Sequence, residues 1–550
     1  MPQPQPKVSV VVPVYNPGPN IRFLLESLEA QSLPAGEFEV VFVDDGSTDG
    51  TGESLRAECE RAPHLTYTRI ENSGWPGRPR NVGTDLARGE YVFYADNDDV
   101  IPERGLELMH AFASEHRADV LVAREVGRGR IVSKEVFRRD VPDARLGRDP
   151  ILGILTPHKL YRRQFLADHG IRFREGRFRL EDHLFNIQSF VAAERIAVYA
   201  GFPCYVWTKR KDPDGSTNAS YDEWSGADYY LSSLHATLRV VHDAVPDAEL
   251  RDRLLAHWYD TKMLMRLTDK RFLKYTPERR RELFDAIGEL TASTVPPSVD
   301  QHLPVRVRMR SALLRAGDLD ALEPLAESDV DVVGRLVTTG VGTSQDAVTF
   351  SVTMTMEHRD GRPLAFEADD DRLLLCVPAG TPDVVRRPEV RDATRDVAAA
   401  RFDGLVVERG SLDERFVDTT GEVRAEPLAG DPGSLVVRGT GTATLTGALL
   451  RELAPTEPLD LKVRLWVGGW SMIRRLAAPE GAEPGAVLAS TGEGERRIEL
   501  YVTEHGNLSV RHGVHRPKAP RPPQQPTGVR AVLARHPRVR RVVRALLGRG

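Results

Sequence analysis

Residues Tyr91 to Asp99 read YVFYADNDD, an apolar run that ends in three carboxylates. A short apolar run rich in aromatic residues is typical of a buried strand. Unpaired buried carboxylates are costly, so the acids are expected at the strand's end, where a cation can neutralise them. Asp96 and Asp98 lie two residues apart and can converge on one divalent ion, and Mg²⁺ binds through one or two carboxylates plus substrate phosphates. The stretch therefore predicts a metal-dependent enzyme that acts on a phosphorylated donor.

The first 125 residues alternate strand and helix patterns around this stretch. Apolar, β-branched runs predict strands over 8–14, 38–43, 66–70 and 91–95, and helical spacing predicts helices over 20–31, 48–60 and 80–87. Regular alternation predicts an α/β fold with a doubly wound, mostly parallel sheet. Ligands of such sheets bind at the carboxyl ends of the strands. Tyr15, Asp45 and Asp96 all follow predicted strands and are expected at that edge.

Beyond residue 150 the pattern changes twice. Residues 150–215 are less regular, 222–325 are mostly helical, and from about 328 strand-like runs alternate with Gly, Asp and Pro turns. Such runs are typical of antiparallel β-sandwiches. We therefore predict an α/β domain over 1–215, a helical linker over 216–327, one or two β-sandwich modules over 328–510 and a basic tail over 511–550.

The net charge of −5 is unevenly distributed. Residues 511–550 hold eleven Lys or Arg and no Asp or Glu, so the other 510 residues carry about −16. An acidic body argues against nucleic-acid binding. In the tail, arginines interleaved with Val and Leu predict two short amphipathic helices, which suit an anionic membrane surface. An anionic polymer and a solvated, disordered tail are also open interpretations.

The sequence also bears on compartment. No stretch is long and apolar enough to span a bilayer, and the N-terminus lacks the basic and apolar regions of a secretory signal. Cys59, Cys204 and Cys376 lie far apart and are expected to be thiols in a reducing compartment. We therefore expect a cytoplasmic protein that the tail can hold at the inner face of the cell membrane.

Two segments near the predicted strand ends have competing interpretations. Tyr15 could stack on a base, and Asp45 could accept a hydrogen bond from a uracil N–H, but residues 44–47 also suit an ordinary turn before a helix. The loop 72–81 opens a helix, where Arg78 and Arg80 suit a phosphate or sugar hydroxyls. Surface arginines on a solvated loop are an equally good interpretation.

Other charged residues are divided in the same way. Asp99 is expected to cap a helix that begins near residues 101–103, which leaves Asp96 and Asp98 as ligands. Glu181 and Asp182 could deprotonate an acceptor hydroxyl, although their spacing alone favours a helix start. Two basic features, Lys159 with Arg162 and the run 209–211, could contact a polyanionic acceptor or a pyrophosphate, or could be structural.

Several reaction classes lack their motifs. The sequence has no Gly-x-Ser-x-Gly elbow, no P-loop and no dinucleotide-binding Gly-x-Gly-x-x-Gly after the first strand. His64, His158 and His183 have no spacing typical of zinc ligands. These absences count against hydrolase, kinase and dehydrogenase functions.

Four motifs together resemble the family 2 glycosyltransferases of GT-A fold. They are residues 8–16 (VSVVVPVYN), 43–49 (VDDGSTD), 89–99 (GEYVFYADNDD) and Glu181-Asp182, and the resemblance covers about residues 5–215. It implies an inverting transferase that uses a nucleotide-activated sugar and Mg²⁺ or Mn²⁺. Two positions depart from the family: Asn97 stands where Ser is frequent, and His158 stands where relatives often have Asn.

The resemblance also implies roles for individual residues. Pro13, Tyr15 and Asp45 would hold the nucleoside, and Asp96 would contact the ribose or the donor sugar. Asp98 would bind the metal. Asp182 would be the general base, with Glu181 beside it on the acceptor side.

The larger layout is similar to that of the bacterial wall teichoic acid glycosyltransferases, which decorate poly(ribitol phosphate). The similarity implies a UDP-activated hexose or N-acetylhexosamine donor, a polyanionic or glycan acceptor, and trimerisation through the β modules. Transfer to another exopolysaccharide or a glycolipid is an alternative. A further alternative is a non-catalytic glycan-binding or assembly protein with a degenerate catalytic domain, against which Asp45, Asp96, Asp98, Glu181 and Asp182 argue.

Overall fold

The computed structural model describes residues 5–209, 227–344, 346–409, 414–453, 458–492 and 497–512. The N-terminal part alternates strands with helices, as the apolar periodicity predicts. Its strands are β1 (Val8–Val14), β2 (Phe38–Asp44), β3 (Leu65–Arg69), β4 (Tyr91–Tyr94), β5 (Val120–Ala123), β6 (Glu125–Arg128), β7 (Val141–Ala144), β8 (Leu160–Arg162), β9 (Ile196–Tyr199) and β10 (Tyr205–Thr208). Its helices are α1 (Ile21–Glu29), α2 (Thr51–Arg61), α3 (Gly77–Leu86), α4 (Gly105–Glu115), α5 (Arg163–Asp168) and α6 (Glu181–Ala192).

Eight of these strands form one sheet in the order β3-β2-β1-β4-β8-β5-β9-β7. β1 pairs in parallel with β2 and β4, and β2 with β3, so the carboxyl ends of four strands meet at one edge. β8 runs antiparallel between β4 and β5, which makes the sheet mixed. β6 and β10 form a separate parallel pair beside it. The predicted α/β class, with its mostly parallel sheet, is confirmed.

A bundle of helices follows. It contains α7 (Ala227–Ala244), α8 (Ala248–Trp258), α9 (Asp269–Leu273), α10 (Pro277–Thr294), α11 (Val305–Ala316) and α12 (Leu322–Asp331). A π-helical turn, Tyr259–Met263, continues α8. None of the helices among the described residues has the length and apolar character that a membrane crossing requires.

The C-terminal part is antiparallel, as predicted. Its strands are β11 (Val332–Ser344), β12 (Ala347–His358), β13 (Ala365–Asp369), β14 (Arg372–Leu375), β15 (Arg401–Glu408), β16 (Glu414–Leu428), β17 (Asp431–Thr446), β18 (Leu459–Val467), β19 (Trp470–Arg475), β20 (Val487–Thr491), β21 (Ile498–Val502) and β22 (Leu508–His512). The short helices α13 (Asp383–Arg386), α14 (Pro388–Arg391), α15 (Thr394–Ala398) and α16 (Gly447–Leu453) lie between strands.

These twelve strands belong to one sheet that curls back on itself. At its two ends the Thr491 hydroxyl of β20 donates to the Ser344 carbonyl of β11 at 2.8 Å. The arrangement is a sandwich-like, nearly closed barrel, which we call the β-module (residues 332–512). The chain changes from helix to strand at Asp331 and Val332. The domain boundaries at 215, 327 and 510 stay predictions.

Two apolar clusters cover the faces of the N-terminal sheet. Leu24 of α1, Phe42 of β2 and Leu106 of α4 belong to the cluster on one face. The cluster on the other face contains Phe185 of α6 and continues through the helical bundle into the β-module; its members there include Trp258, Val305 and Leu461. The three parts of the chain therefore share a continuous core that fixes the catalytic edge of the sheet against its neighbours.

Candidate active site

The carboxyl ends of β1 and β2 form one wall of the candidate site. Tyr15 directly follows β1 and is 52% exposed, so its ring is available to a ligand. Asp45 follows β2, is buried, and accepts hydrogen bonds from the Ser73 backbone N–H at 2.8 Å and hydroxyl at 2.9 Å. Asp44 instead accepts from the Tyr67 hydroxyl at 2.7 Å, which fastens β2 to β3. Of the two adjacent acids, Asp44 is structural.

The buried guanidinium of Arg80 joins two acidic groups. α3 packs tightly on β1, because a Cβ added at Gly83 would lie 2.3 Å from Val11 Cγ1, so only glycine allows this approach. On α3, Arg80 Nη2 donates to Asp96 Oδ1 at 3.0 Å and Nη1 donates to Glu181 Oε1 at 3.1 Å. Arg80 thus links the end of β4 to the first turn of α6.

The two arginines of the loop 72–81 therefore differ in environment. Arg78 is exposed, whereas Arg80 is almost completely buried. Arg80 is already paired with the carboxylates of Asp96 and Glu181, so its charge acts on both groups. The predicted contacts of Arg78 and Arg80 with the donor stay predictions.

Asp96 lies between two cations. His158 Nε2 is 3.2 Å from Asp96 Oδ2, on the side opposite Arg80. Although burial opposes it, the charges of His158 and Arg80 hold the pKa of Asp96 well below its ordinary value. Burial alone would lower the pKa of His158, but Glu125 and Asp96 raise it to about 9. His158 therefore carries a positive charge where the sequence left its role open.

Asp99 does not cap a helix, because α4 begins at Gly105 with Arg104 as its N-cap. The expected helix start at residues 101–103 is wrong for the same reason: residues 102–104 form a turn before α4. The Asp99 carboxylate is buried and accepts from the Tyr205 hydroxyl and the Thr208 backbone N–H, each at 2.6 Å. These contacts hold β10 against the end of β4.

The donor set at this strand end fits a divalent cation. Ligand atoms of Asp96, Asp99 and His158 lie within 4.8 Å of one another, and Asp98 is buried beside them. Burial and then the charges of Asp96 and Asp98 raise the pKa of Asp99 well above its ordinary value, although His158 opposes them. Burial is the larger cause of this shift, and the neighbouring carboxylates add to it; a cation would relieve the part that comes from their charge, and carboxylate oxygens suit Mg²⁺ and Mn²⁺. Protonated His158 has no lone pair for a metal, so the carboxylates of Asp96 and Asp99 are the ligands that this cluster offers, and the predicted role of Asp98 stays a prediction.

Glu181 and Asp182 occupy the first turn of α6, after Leu180 in a left-handed conformation (φ 58°). Glu181 Oε2 accepts from the Trp75 indole N–H at 3.1 Å, in addition to its contact with Arg80. Burial, together with the charge of Asp182, raises the pKa of Glu181 to about 7. Burial also raises the pKa of Asp182, against the charges of Arg80, Lys262 and Lys159. A carboxyl pair with raised pKa values beside a donor site can accept a proton.

The helical bundle supplies residues that sequence patterns did not identify. Lys262 lies on the π-helical turn Tyr259–Met263, and its charge reaches Asp182. The Trp258 indole donates to His183 Nδ1 at 3.2 Å, which joins α8 to α6. π-Helical turns are often found at functional sites. They have no sequence signature, and helical periodicity reports only the apolar face, so Lys262 could not be assigned beforehand.

The remaining basic candidates separate into three groups. Lys159 is buried, donates to the Thr156 carbonyl, and has its pKa lowered by burial to about 8. Arg162 binds Asp119, with its Nε 3.1 Å from Oδ1, so its role is structural. Of the run 209–211, only Lys209 is described, and its N–H donates to the Arg128 carbonyl at 2.8 Å. The rest of that run and the amphipathic tail lie outside the described residues.

Comparison with known proteins gives matches over the first two parts of the chain. The model of glycosyl transferase family 2 matches residues 9–181, and that of the glycosyl transferase TarS linker domain matches residues 227–326. The poly(ribitol-phosphate) beta-N-acetylglucosaminyltransferase TarS of Staphylococcus aureus strain Mu50 is 33% identical over 328 residues, which cover 58% of this chain and 55% of TarS.

Two further comparisons also give poly(ribitol-phosphate) glycosyltransferases. A poly(ribitol-phosphate) beta-glucosyltransferase of Bacillus spizizenii is 28% identical over 59% of this chain and 51% of its own length. The crystal structure of S. aureus TarS residues 1–349 in complex with UDP-GlcNAc has a TM-score of 0.55 and 28% identity, and covers 68% of this chain and 98% of that one. The matched region spans about half the length of these curated relatives.

Proposed function

We propose that this chain is a family 2 glycosyltransferase, as the match over residues 9–181 suggests, and that it transfers a sugar from a UDP-activated donor to a hydroxyl group of a poly(ribitol phosphate)-type polymer, with inversion at the anomeric carbon. One observation carries the proposal: buried Arg80 joins Asp96, the proposed donor contact, to Glu181, the neighbour of the proposed base. The donor end of the sheet and the acceptor side therefore face one another in a single site.

The donor would lie along the carboxyl ends of β1, β2 and β4. The exposed Tyr15 ring is free to stack on the base, with Pro13 and Asp45 beside the nucleoside and Arg78 at the rim. Asp96 would accept from a ribose or sugar hydroxyl. Asp98 is the proposed metal ligand, with Asp96 and Asp99 at hand, and a divalent cation supplies charge neutralisation for the diphosphate when bound.

Asp182 is the proposed general base. Its carboxylate would take the proton of the acceptor hydroxyl while the hydroxyl oxygen attacks the anomeric carbon. The bond from that carbon to the diphosphate oxygen breaks, and the electron pair leaves with UDP. Attack and departure on opposite faces invert the anomeric centre. Arg80 and Trp75 hold the side chain of Glu181 in place next to Asp182. With a pKa of about 7, Glu181 is present in both its charged and its neutral form near neutral pH.

Positive charge near the base supports a polyanionic acceptor. Lys262 and Lys159 both act on Asp182, and burial lowers the pKa of each lysine. Lys262 is only partly buried and can reach a phosphate, whereas Lys159 is fully buried and acts on this region through its charge alone. The two relatives named above differ in their donor sugar, so both UDP-GlcNAc and UDP-glucose are candidates.

The test is UDP release with each donor, with and without poly(ribitol phosphate). We expect release that depends on the polymer, and its loss in Asp182→Asn with UDP binding retained. Asp168→Asn, at the end of α5 and outside the site, serves as the matched control and should behave as wild type. UDP release that requires a glycolipid or another polysaccharide, and does not occur with poly(ribitol phosphate), would show that the acceptor is not poly(ribitol phosphate). No turnover of any donor would favour the non-catalytic alternative.

A further inference from the structure

A second cavity lies where the α/β domain meets the β-module. It has a volume of about 710 Å³ and is lined by the segment from β6 to residue 140 and by residues of β15, β16, β18, β19 and α16. The α/β domain contributes five basic side chains to its lining: Arg124, Arg130, Lys134, Arg138 and Arg139. The β-module contributes two more, Arg415 and Lys462.

Ion pairs across the domain boundary fix the two walls. Arg138 Nη1 lies 2.9 Å from Asp403 Oδ1 and its guanidinium lies 3.8 Å from the centre of the Phe416 ring. Arg401 Nη1 lies 2.7 Å from Glu135 Oε2. These pairs join residues far apart in the chain and are partly shielded from water, so they hold the walls in register better than exposed pairs would. The cavity is a feature of the assembled chain.

The cavity is positively charged overall. Against its seven basic residues stand three acids, Glu125, Asp140 and Glu414. Glu125 is engaged by His158 and Thr156, and Glu414 by Lys462 at 2.7 Å. Among the lining residues, basic side chains outnumber acids by seven to three, although Glu414 pairs with both Lys134 and Lys462 and Asp403 pairs with Arg138 from behind the wall.

Apolar side chains share the lining. Ile131 is 96% exposed and Ile473 is 37% exposed, and both border the cavity. Exposed apolar groups among basic ones suit a ligand with carbon segments between anionic groups. A polyol phosphate chain has this alternation, because each phosphodiester is separated from the next by a run of carbons.

The cavity and the active site share one structural wall. β6, which lines the cavity, pairs with β10, whose Tyr205 hydroxyl donates to Asp99 in the active site. The guanidinium of Arg130, two residues after β6, lies 4.2 Å from the centre of the Trp207 ring of β10. Glu125 of β6 contacts His158, which contacts Asp96. The active site and the cavity therefore lie on either side of one two-stranded wall, and a polymer chain bound at both would run around the edge of that wall.

We propose that this cavity is a second acceptor subsite, which binds phosphodiester groups of the polyanionic chain at repeats away from the hydroxyl that reacts. The subsite rests on the proposed function for the identity of the polymer. It gives the β-module a direct part in substrate binding, since Arg415 and Lys462 are two of the seven basic residues that line the cavity. It also makes the enzyme prefer long acceptors over short ones.

The test compares acceptor lengths in the full chain. The double variant Arg139→Glu, Arg415→Glu reverses one charge on each wall and is compared with Arg139→Lys, Arg415→Lys, which keeps both charges. The ratio of kcat/KM for poly(ribitol phosphate) to that for a synthetic trimer is expected to fall about tenfold in the glutamate variant. The lysine variant should keep most of the ratio. Arg281→Glu, on an exposed face of α10, is the matched control and should leave the ratio unchanged.

Binding measured separately distinguishes the two proposals. Fluorescein-labelled poly(ribitol phosphate) should bind the glutamate variant about tenfold more weakly at low salt, and the difference should shrink at high salt. Polymer binding without sugar transfer in the wild type would refute the proposed function and leave the subsite standing. Three outcomes would each overturn the subsite. The first is an unchanged ratio of kcat/KM for long and short acceptors, and the second is a wild type that does not bind the polymer. The third is a glutamate variant that loses binding to phosphatidylglycerol vesicles but keeps binding to the polymer.

Discussion

Replacing Arg80 with methionine removes a cation that contacts both Asp96 and Glu181. Methionine keeps most of the length and volume of the arginine side chain, so the main change is in charge. Asp96 then keeps His158 as a charged partner, whereas Glu181 keeps uncharged donors such as the indole N–H of Trp75. The substitution is therefore expected to affect Glu181 and its neighbour Asp182 more than Asp96.

The magnitude follows from the two contacts. At 3.0 and 3.1 Å and an effective dielectric constant of about 20, each Coulomb attraction is about 5 kcal/mol. Desolvation of the guanidinium offsets much of this, and removing one partner of a buried pair costs about 3–5 kcal/mol. The Asp96 side chain is 32% exposed, so water can hydrate its carboxylate and replace part of the stabilisation that Arg80 provided. We expect the free energy of unfolding to fall by about 3 kcal/mol at pH 8.

The stability lost in the Arg80→Met variant is expected to increase with pH. Arg80 lowers the pKa values of Glu181 and Asp182, so its removal raises both. A carboxyl group whose folded pKa lies above its unfolded value of about 4.3 loses stability as pH rises through the folded pKa. For Glu181 that value is already about 7 in the wild type. The Arg80→Met variant should therefore be more destabilised at pH 8 than at pH 6.

Two measurements test this. The melting temperature, taken at pH 6 and pH 8, should fall further at the higher pH, and the acidic limb of the kcat profile should move up by about one pH unit, which corresponds to 1.36 kcal/mol. Arg78→Met, two residues away and exposed, is the stability control: its melting temperature should match wild type. An Arg80→Met enzyme with wild-type melting at both pH values and an unmoved acidic limb would refute the assignment of Arg80 as the shared cation.

Three further outcomes are expected. In the wild type, kcat/KM should rise with pH and level off above about pH 7, because the coupled pair Glu181 and Asp182 must lose a proton before Asp182 can act; a profile flat from pH 5.5 to 8 would contradict this. Tyr15→Ala should weaken UDP binding about tenfold in calorimetry, since base stacking contributes about 1–3 kcal/mol, whereas Tyr15→Phe should stay within twofold. Lys262→Met should shift the acidic limb upward with UDP affinity unchanged, and an equal loss of UDP affinity would place Lys262 on the donor side instead.

The features that sequence could predict are those set by local pattern. β4 and the acids that follow it were predicted because an apolar strand must end where carboxylates begin. Parallel pairing of β1 with β2 and β4 then places Tyr15, Asp45 and Asp96 at one edge of the sheet. Both steps use only periodicity and the geometry of parallel sheets, and both are independent of contacts between distant residues.

The interpretations that failed, or stayed open, depended on distant contacts. Asp99 was assigned to a helix cap because the acid precedes a Pro, but Tyr205, more than a hundred residues later, takes its carboxylate. His158 was without a role until the fold placed it between Glu125 and Asp96. Lys262 belongs to a helical bundle whose pattern specifies only which face is apolar. No spacing rule connects such residues.

The shared cation has a consequence for the order of events in the site. Arg80 divides its attraction between Asp96 and Glu181, so any change in the charge at Asp96 changes its pull on Glu181. If donor binding occupies Asp96 through hydroxyl groups, the guanidinium can turn more fully to Glu181 and lower the pKa of the carboxyl pair. The base would then be in its proton-accepting form mainly when a donor is present. If Asp96 contacts the donor and Asp182 is the base, as proposed, the charge that positions the donor also sets the pKa of the base, because one buried guanidinium contacts both sides.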